Sequence, residues 1–207
     1  VGTDSFLNAS TDKRYSLLEG DEDELIRACV AGEHRARTAL FHRYRDVIYR
    51  FAYRFVGPVA DMDDLIHDIY VEVFRSLGRF KGEAKFTTWL YRIAANVCFS
   101  YLKRTRRRNY VFVPYEPLGG ADSGASGVVD GEKAFARRHI RRRIGEALLR
   151  LPDKKRVVLV LHDIEGRTMD EVARIVKKPV GTVKSRLFHA RSDMRRILKD
   201  LMSGQAS

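Results

Sequence analysis

Apolar residues between positions 33 and 56 recur at steps of three and four: Ala36, Leu40, Tyr44, Val47, Ile48, Phe51 and Phe55. That spacing places them on one face of a helix, and Gly57-Pro58 is its stop signal. In residues 61–77, Leu65, Ile69, Val73 and Leu77 are four apart, with Ile66, Tyr70 and Phe74 beside them. After a loop over 78–85, Phe86, Leu90, Ile93, Val97 and Tyr101 form the apolar face of a helix over 86–104. A shorter helix is predicted over 23–31, ending at Gly32. No alternating strand pattern competes, so the first half reads as an all-α bundle.

The second half begins with a basic helix over 132–150, broken at Leu151-Pro152, and a helix over 153–163 follows. Between the halves, residues 109–132 hold no Lys or Arg but four acids, five glycines and two prolines. That stretch has no helical or strand period and is full of breakers. The fold class expected is therefore all-α: two small helical domains joined by a flexible linker. The domains are 23–108 and 133–202, with a polar N-terminal arm over 1–22. The linker is a solvated tether, or its acids mimic nucleic acid in a basic channel of a partner.

Residues 168–190 are the most informative. Thr168-Met169-Asp170-Glu171 matches a capping box, in which the hydroxyl and the carboxylate satisfy each other's backbone N–H. A short helix over 169–176 follows, with Val172, Ala173 and Val176 inward. Pro179 forces a turn by disfavouring helical geometry at Lys178. A second helix starts near Gly181, with Val183, Leu187 and Ala190 on one stripe. This is a helix-turn-helix. At ~100° per residue, Ser185, Phe188 and Ser192 point away from that stripe. Lys184 and His189 flank them, and Arg186 and Arg191 sit nearer the edges. Cations for phosphates and polar or apolar tips for base edges suit a DNA major groove. An exposed Phe188 on such a face fits a thymine methyl. The plainer reading is a basic, solvated helix.

Charge sharpens the picture. The net charge is +12 with a pI near 9.9, which favours a polyanionic partner. Residues 1–22 carry two basic and five acidic groups, net −3; 23–104 carry fourteen and ten, net +4; 105–207 carry twenty-three and twelve, net +11. The excess lies where the helix-turn-helix is. No apolar run approaches the ~18 residues a membrane span needs, and the N-terminus lacks a secretory pattern. Cys29 and Cys98 lie at apolar helical positions away from any metal-ligand spacing. They read as buried free thiols in a reducing cytoplasm.

The first half carries two more surfaces. Trp89, Arg92, Asn96, Phe99 and Lys103 form a stripe beside the buried face of the 86–104 helix, and Arg79, Phe80, Lys81 and Lys85 precede it. Rings stack on bases and cations track phosphates, so the set suits single-stranded nucleic acid. A core-edge Trp89 is the alternative. Asp61, Asp63, Asp64, His67, Asp68 and Glu72 crowd one helix. Asp63 and His67 are spaced as metal ligands could be, but no third, distant ligand is visible. A protein-docking face is expected instead, because an acidic patch on a DNA-binding chain must face something basic. No phosphate loop, nucleophile elbow or carboxylate pair appears, so neither an enzyme nor a cofactor is expected.

Residues 61–97, DMDDLIHDIYVEVFRSLGRFKGEAKFTTWLYRIAANV, resemble region 2 of the extracytoplasmic-function sigma factors. Residues 151–191, LPDKKRVVLVLHDIEGRTMDEVARIVKKPVGTVKSRLFHAR, resemble region 4. Either half alone is a weaker signal than both in this order. The resemblance implies a cytoplasmic initiation factor that brings core RNA polymerase to promoters. The 61–77 helix would dock on the clamp helices of the largest subunit, through Asp61, Asp64, Leu65, His67, Asp68 and Glu72. The −10 element would be opened and a flipped base held by Phe80 and Asn96, with Ser76, Arg79, Trp89, Arg92 and Ile93 around them. Lys184, Ser185, Phe188 and His189 would read the −35 duplex, with Thr182 and Arg186 on phosphates. The polymerase flap and an anti-sigma factor are further implied partners, and the linker would thread toward the RNA exit channel. His67 stands where the family usually has Gln, and His189 where it often has Arg.

Two other classes compete. A stand-alone helix-turn-helix regulator accounts for 151–196 but leaves 61–104 without a role. An enzyme on nucleic acid lacks its metal or acid–base set.

Overall fold

The predicted helices form, and each ends for a local reason. The computed structural model describes residues 21–106 and 131–203, with the side chains of the second stretch from 138 onward. The expected linker, save its last two residues, and the arm up to residue 20 lie outside the described residues. Helix α1, Glu22–Val30, starts on Asp21, whose carboxylate accepts the Asp23 N–H at 3.3 Å. Its first-turn acids Glu22, Asp23 and Glu24 face the positive end of the helix dipole. The last two residues assigned to the arm therefore belong to this helix start. The Tyr44 hydroxyl donates to Glu22 and ties α1 to the next helix.

Helix α2 is His34–Val56, and α3 is Met62–Ser76, running into a 3-10 turn at Leu77–Arg79. Helix α4 is Phe86–Arg106. The predicted stripes are the buried ones: Leu40, Ile48, Phe51 and Phe55 of α2, Leu65, Ile69 and Val73 of α3, and Phe86, Leu90 and Ile93 of α4. Phe51 meets Tyr91 edge-on at 5.2 Å, and Phe55 meets Phe99 at 4.9 Å. Such pairs add to the burial that holds α2 on α4. Cys29 and Cys98 are both buried free thiols. Burial pushes the Cys29 thiol up to about 11 and the Cys98 thiol further, so neither is a nucleophile at neutral pH.

The second set is α5, Gly131–Arg150; α6, Asp153–Leu159; α7, Met169–Val176; and α8, Val180–Ser203. The helix expected over 153–163 is regular only to Leu159. Its last stretch, Val160–Ile164, widens into a π turn, closed by Glu165 N–H on the Val160 carbonyl at 2.9 Å. The His162 ring Nδ1 lies 2.7 Å from the Arg167 carbonyl across the bend. The capping box is present in both directions: Glu171 N–H to Thr168 Oγ1 at 3.2 Å, and Thr168 N–H to Glu171 Oε2 at 2.8 Å. The turn before α8 takes left-handed geometry at Lys177, φ 51°, one residue earlier than the proline rule points. Ile175, not Val176, is the fully buried residue at the end of α7.

The two domains do not stand apart. Helix α4 lies along α7, and α5 and α6 pack on the end of α2. One continuous apolar core runs through both sets. The sequence gives no hint of this contact.

Candidate nucleic-acid and polymerase interfaces

Helix α8 has two opposite faces. Val183, Leu187 and Ala190 are buried against α6 and α7. Lys184, Ser185, Phe188 and His189 are exposed, and Thr182 and Arg186 are half-buried at the edges. Phe188 leaves 68% of its surface in water, and the His189 ring stands edge-on to it at 5.5 Å. Such exposure of a phenyl ring on a polar face marks a contact surface. Two ion pairs fix the helix on its support: Arg191 on Asp163 through two bonds of 2.9 and 2.6 Å, and Lys155 on Asp193 at 2.7 Å. Pairs this exposed are worth only about 0.2–1 kcal/mol each, but they tie α8 to α6 and to the π turn after it. Arg191, placed at the phosphate edge by sequence, is engaged with Asp163 instead. The Lys155 hydrogen bond holds the Asp193 carboxyl below its ordinary range.

The flank of α4 divides into a floor and a surface. Trp89 and Ile93 are each only 7% exposed. Phe80 packs on Trp89 at 5.4 Å and on Phe86 at 5.5 Å. Trp89 is thus walled in by two phenyl rings and cannot offer a free face for stacking. Above it, Asn96 and Arg79 are exposed, and Arg92, Phe80 and Ser76 half-buried. The Ser76 hydroxyl donates to the Glu72 carbonyl at 2.5 Å. The Phe80–Trp89 contact brings the loop beside the helix, so polar and basic groups from both elements border one apolar floor.

On α3, Asp64, His67 and Asp68 are exposed on the side opposite the core. Leu65 is 1% exposed and belongs to the core behind that side. Asp61 accepts from the Tyr101 hydroxyl at 2.6 Å, and Glu72 pairs with Arg75 at 2.7 Å. Sequence reading missed Val71, half-exposed among these acids at three and four residues from Asp68 and His67. Its signal was an apolar residue outside the buried stripe. An acidic face with one apolar knob suits a basic protein surface. Among the described residues, no three His, Cys, Asp or Glu side chains gather to hold a metal, and no helix is long and apolar enough to cross a membrane.

Comparison with known proteins places the chain in a family. Residues 40–108 match the family model of Sigma-70 region 2, and residues 141–194 match that of Sigma-70, region 4. The chain is similar to the ECF RNA polymerase sigma factor SigW of Bacillus subtilis, 31% identical over 179 residues, covering 85% of this chain and 96% of that protein. It is 30% identical over 173 residues to the ECF RNA polymerase sigma-E factor of Escherichia coli K12, covering 81% and 88%. Its fold is similar to CnrH in complex with the cytosolic domain of CnrY, with a TM-score of 0.60 and 24% identity over 88% of this chain and 97% of that one. It is equally similar, at 0.60 and 21% identity over 78% and 96%, to the sigma factor RpoE bound to the anti-sigma factor NepR from Bartonella quintana. The chain belongs to the extracytoplasmic-function sigma factors: it binds core RNA polymerase, recognises the −10 and −35 promoter elements and promotes strand opening.

Proposed function

We propose that this sigma factor divides its work between two bodies, residues 23–108 and 133–202, joined by an acidic tether over 109–132 and preceded by an arm over 1–22. The outer face of α3 docks on the clamp helices of the largest polymerase subunit. Asp64, His67 and Asp68 make the contact, Asp61 and Glu72 lie at its margins, and Leu65 holds the helix from behind. The loop and α4 take the non-template strand of the −10 element. Asn96 and Phe80 hold a flipped base, Ser76, Arg79 and Arg92 line the rim, and Trp89 and Ile93 form the floor. Capturing a base outside the stack makes opening depend on sequence. Helix α8 reads the −35 duplex through Lys184, Ser185, Phe188 and His189, with Thr182 and Arg186 on phosphates.

The observation that carries the reading is the two-faced α8, with Phe188 exposed over a stripe that is fully buried. The second domain also meets the polymerase flap region, and the tether runs toward the RNA exit channel. The factor acts in the cytoplasm, needs no cofactor and catalyses no reaction of its own. An anti-sigma factor holds it in reserve, as NepR is bound to RpoE in the similar structure. The test is transcription from a randomised promoter library with core polymerase, with and without this chain. Defined start sites that appear only with the chain are expected and reveal both elements. Duplex binding by the chain alone, with no effect on core polymerase, would leave a stand-alone regulator.

A further inference from the structure

Helix α8 is longer than the groove it reads is wide. Its 24 residues extend about 36 Å at ~1.5 Å per residue, whereas the major groove of B-DNA is about 12 Å across. Beyond Ser192 the helix continues to Ser203, and this tail is held in place. Met194 and Ile197 pack against the core on its inner side. Arg143 of α5 donates to the Leu201 carbonyl, in the last turn, where carbonyls have no partner within the helix.

The outer side of the tail is basic. At ~100° per residue, Arg195, Arg196 and Lys199 fall on the same stripe as Ser185, Phe188 and Ser192, and all six are exposed. No acid stands on that stripe; Asp193 and Asp200 fall to one flank of it. Asp193 is engaged by Lys155 at 2.7 Å and by Arg196 at 3.6 Å. The second pair leaves 72% of the Arg196 side chain in water, so its charge stays at the surface.

Position decides what these cations meet. Arg195, Arg196 and Lys199 lie about 10, 12 and 16 Å further along the axis than Phe188. With the Phe188 ring over base edges, they stand at the margin of the groove and past it, where phosphates line the wall. Three cations would also suit an acidic protein. Here the stripe has no break between Phe188 and Lys199, so the groove wall reached by its first part stands beside its second.

We propose that the outer side of the α8 tail is a second DNA contact, in which Arg195, Arg196 and Lys199 brace the sugar-phosphate backbone flanking the −35 element, whatever its sequence. Phosphate contacts of this kind fix register and add affinity, while Phe188 and its neighbours carry the specificity. Each neutralised phosphate releases counterions and contributes ~0.9 to the slope of log affinity against log salt. Three contacts contribute about 2.7. The inference rests on the assignment of α8 to the −35 duplex.

The test is binding of promoter DNA by core polymerase saturated with this chain, wild type against R195Q/R196Q/K199Q, from about 50 to 200 mM salt. The triple variant is expected to show a slope smaller by about 2–3 with unchanged sequence preference. The advantage of the wild type should shrink by about 40-fold across that range. Uncharged methylphosphonate linkages beside the −35 element should weaken the wild type and leave the triple variant nearly unaffected. R195K/R196K, which keeps the charges, is expected to keep the slope. Far-UV circular dichroism checks helix content; should the triple variant lose helix, the wild type and R195K/R196K on methylphosphonate promoters decide the matter. An unchanged slope, or linkages that weaken wild type and triple variant alike, would overturn the brace. So would a triple variant that initiates poorly with an unchanged slope, which would make the tail a face for an acidic protein. The −35 assignment fails separately, through K184A and F188A variants that keep the wild-type promoter preference, and the methylphosphonate promoters still report whether the tail meets DNA.

Discussion

Arg156 donates from Nη1 to the carbonyl oxygen of Phe55 at 2.7 Å, across 101 residues of chain. Phe55 lies in the last turn of α2, where carbonyls have no partner within the helix. The same guanidinium, 4% exposed, also serves the Leu149 and Leu151 carbonyls at 3.3 and 3.0 Å and Asp153 at 3.1 Å. One buried fork thus closes the end of a helix in one domain and the α5–α6 corner of the other. Replacing it with Met keeps the volume and strands the carbonyls. R156M should cost about 2–3 kcal/mol and lower Tm by about 5–10 °C, measured by calorimetry. R156K should recover little, because an ammonium lacks the planar fork.

The Thr168–Glu171 box makes the stability of the helix-turn-helix depend on acid pH. The Thr168 N–H hydrogen bond, working against burial, holds the Glu171 carboxyl below its ordinary range. A lowered carboxyl stabilises the fold fully above its unfolded value and loses that contribution as pH falls through the folded value. The denaturation midpoint of the wild type should therefore drop below about pH 4.5, and E171Q should show a flatter acid limb. T168A should cost about 1 kcal/mol at neutral pH.

Phe188 and Arg186 should separate sequence reading from phosphate contact. F188A should relax the preference at one −35 position by about 1–3 kcal/mol. R186A should weaken initiation on all sequences alike and reduce the slope of log affinity against log salt by about 1. Library transcription at a series of salt concentrations reads both effects.

Asn96 and Trp89 sit on the same helix and should fail differently. N96A, at an exposed position, should slow opening of the −10 region, seen as reduced permanganate reactivity of its thymines, with Tm unchanged. W89A removes a ring packed between Phe80 and Phe86, and should cost about 3–5 kcal/mol of stability. A W89A protein with wild-type Tm would show that the ring belongs to the surface after all.

The α3 face should act on polymerase alone. D68K should weaken competition for core enzyme by about ten-fold, mostly through slower association, and leave Tm within about 1–2 °C. H67Q should bind core at least as well as the wild type. An unchanged D68K would move the docking face elsewhere on the domain.

Much of this was legible in the order of residues. Val183, Leu187 and Ala190 fall on one helical stripe because of a period, and the same period puts Phe188 outside. The capping box is a four-residue pattern, and both its hydrogen bonds form. The acids of α3 and the stripes of α2 and α4 are readable for the same reason. Less readable was depth. Trp89 carries the chemistry of a contact surface, yet it is buried, because the amount of cover depends on what packs from other helices. Phe80, nine residues before Trp89, decides that the indole is floor and not platform. The π turn after Leu159 was equally invisible: a widened turn leaves the hydrophobic period nearly intact while redirecting the residues after it.

The sequence by itself determined the helices, their inward faces, the helix-turn-helix and the separation of acidic and basic surfaces. Each of these depends on residues within a turn or two of one another, where backbone geometry alone sets which side chains are neighbours. Only the tertiary structure decided that Glu165 meets Arg54 and Tyr91, that Arg156 closes the end of α2, and that Leu149 rests on Gly57. Those partners lie 74 to 111 residues apart in the hydrogen-bonded pairs with Glu165, and no period links them. They meet because two separately patterned apolar faces bury each other, and the polar groups at that seam had to find partners once water was excluded.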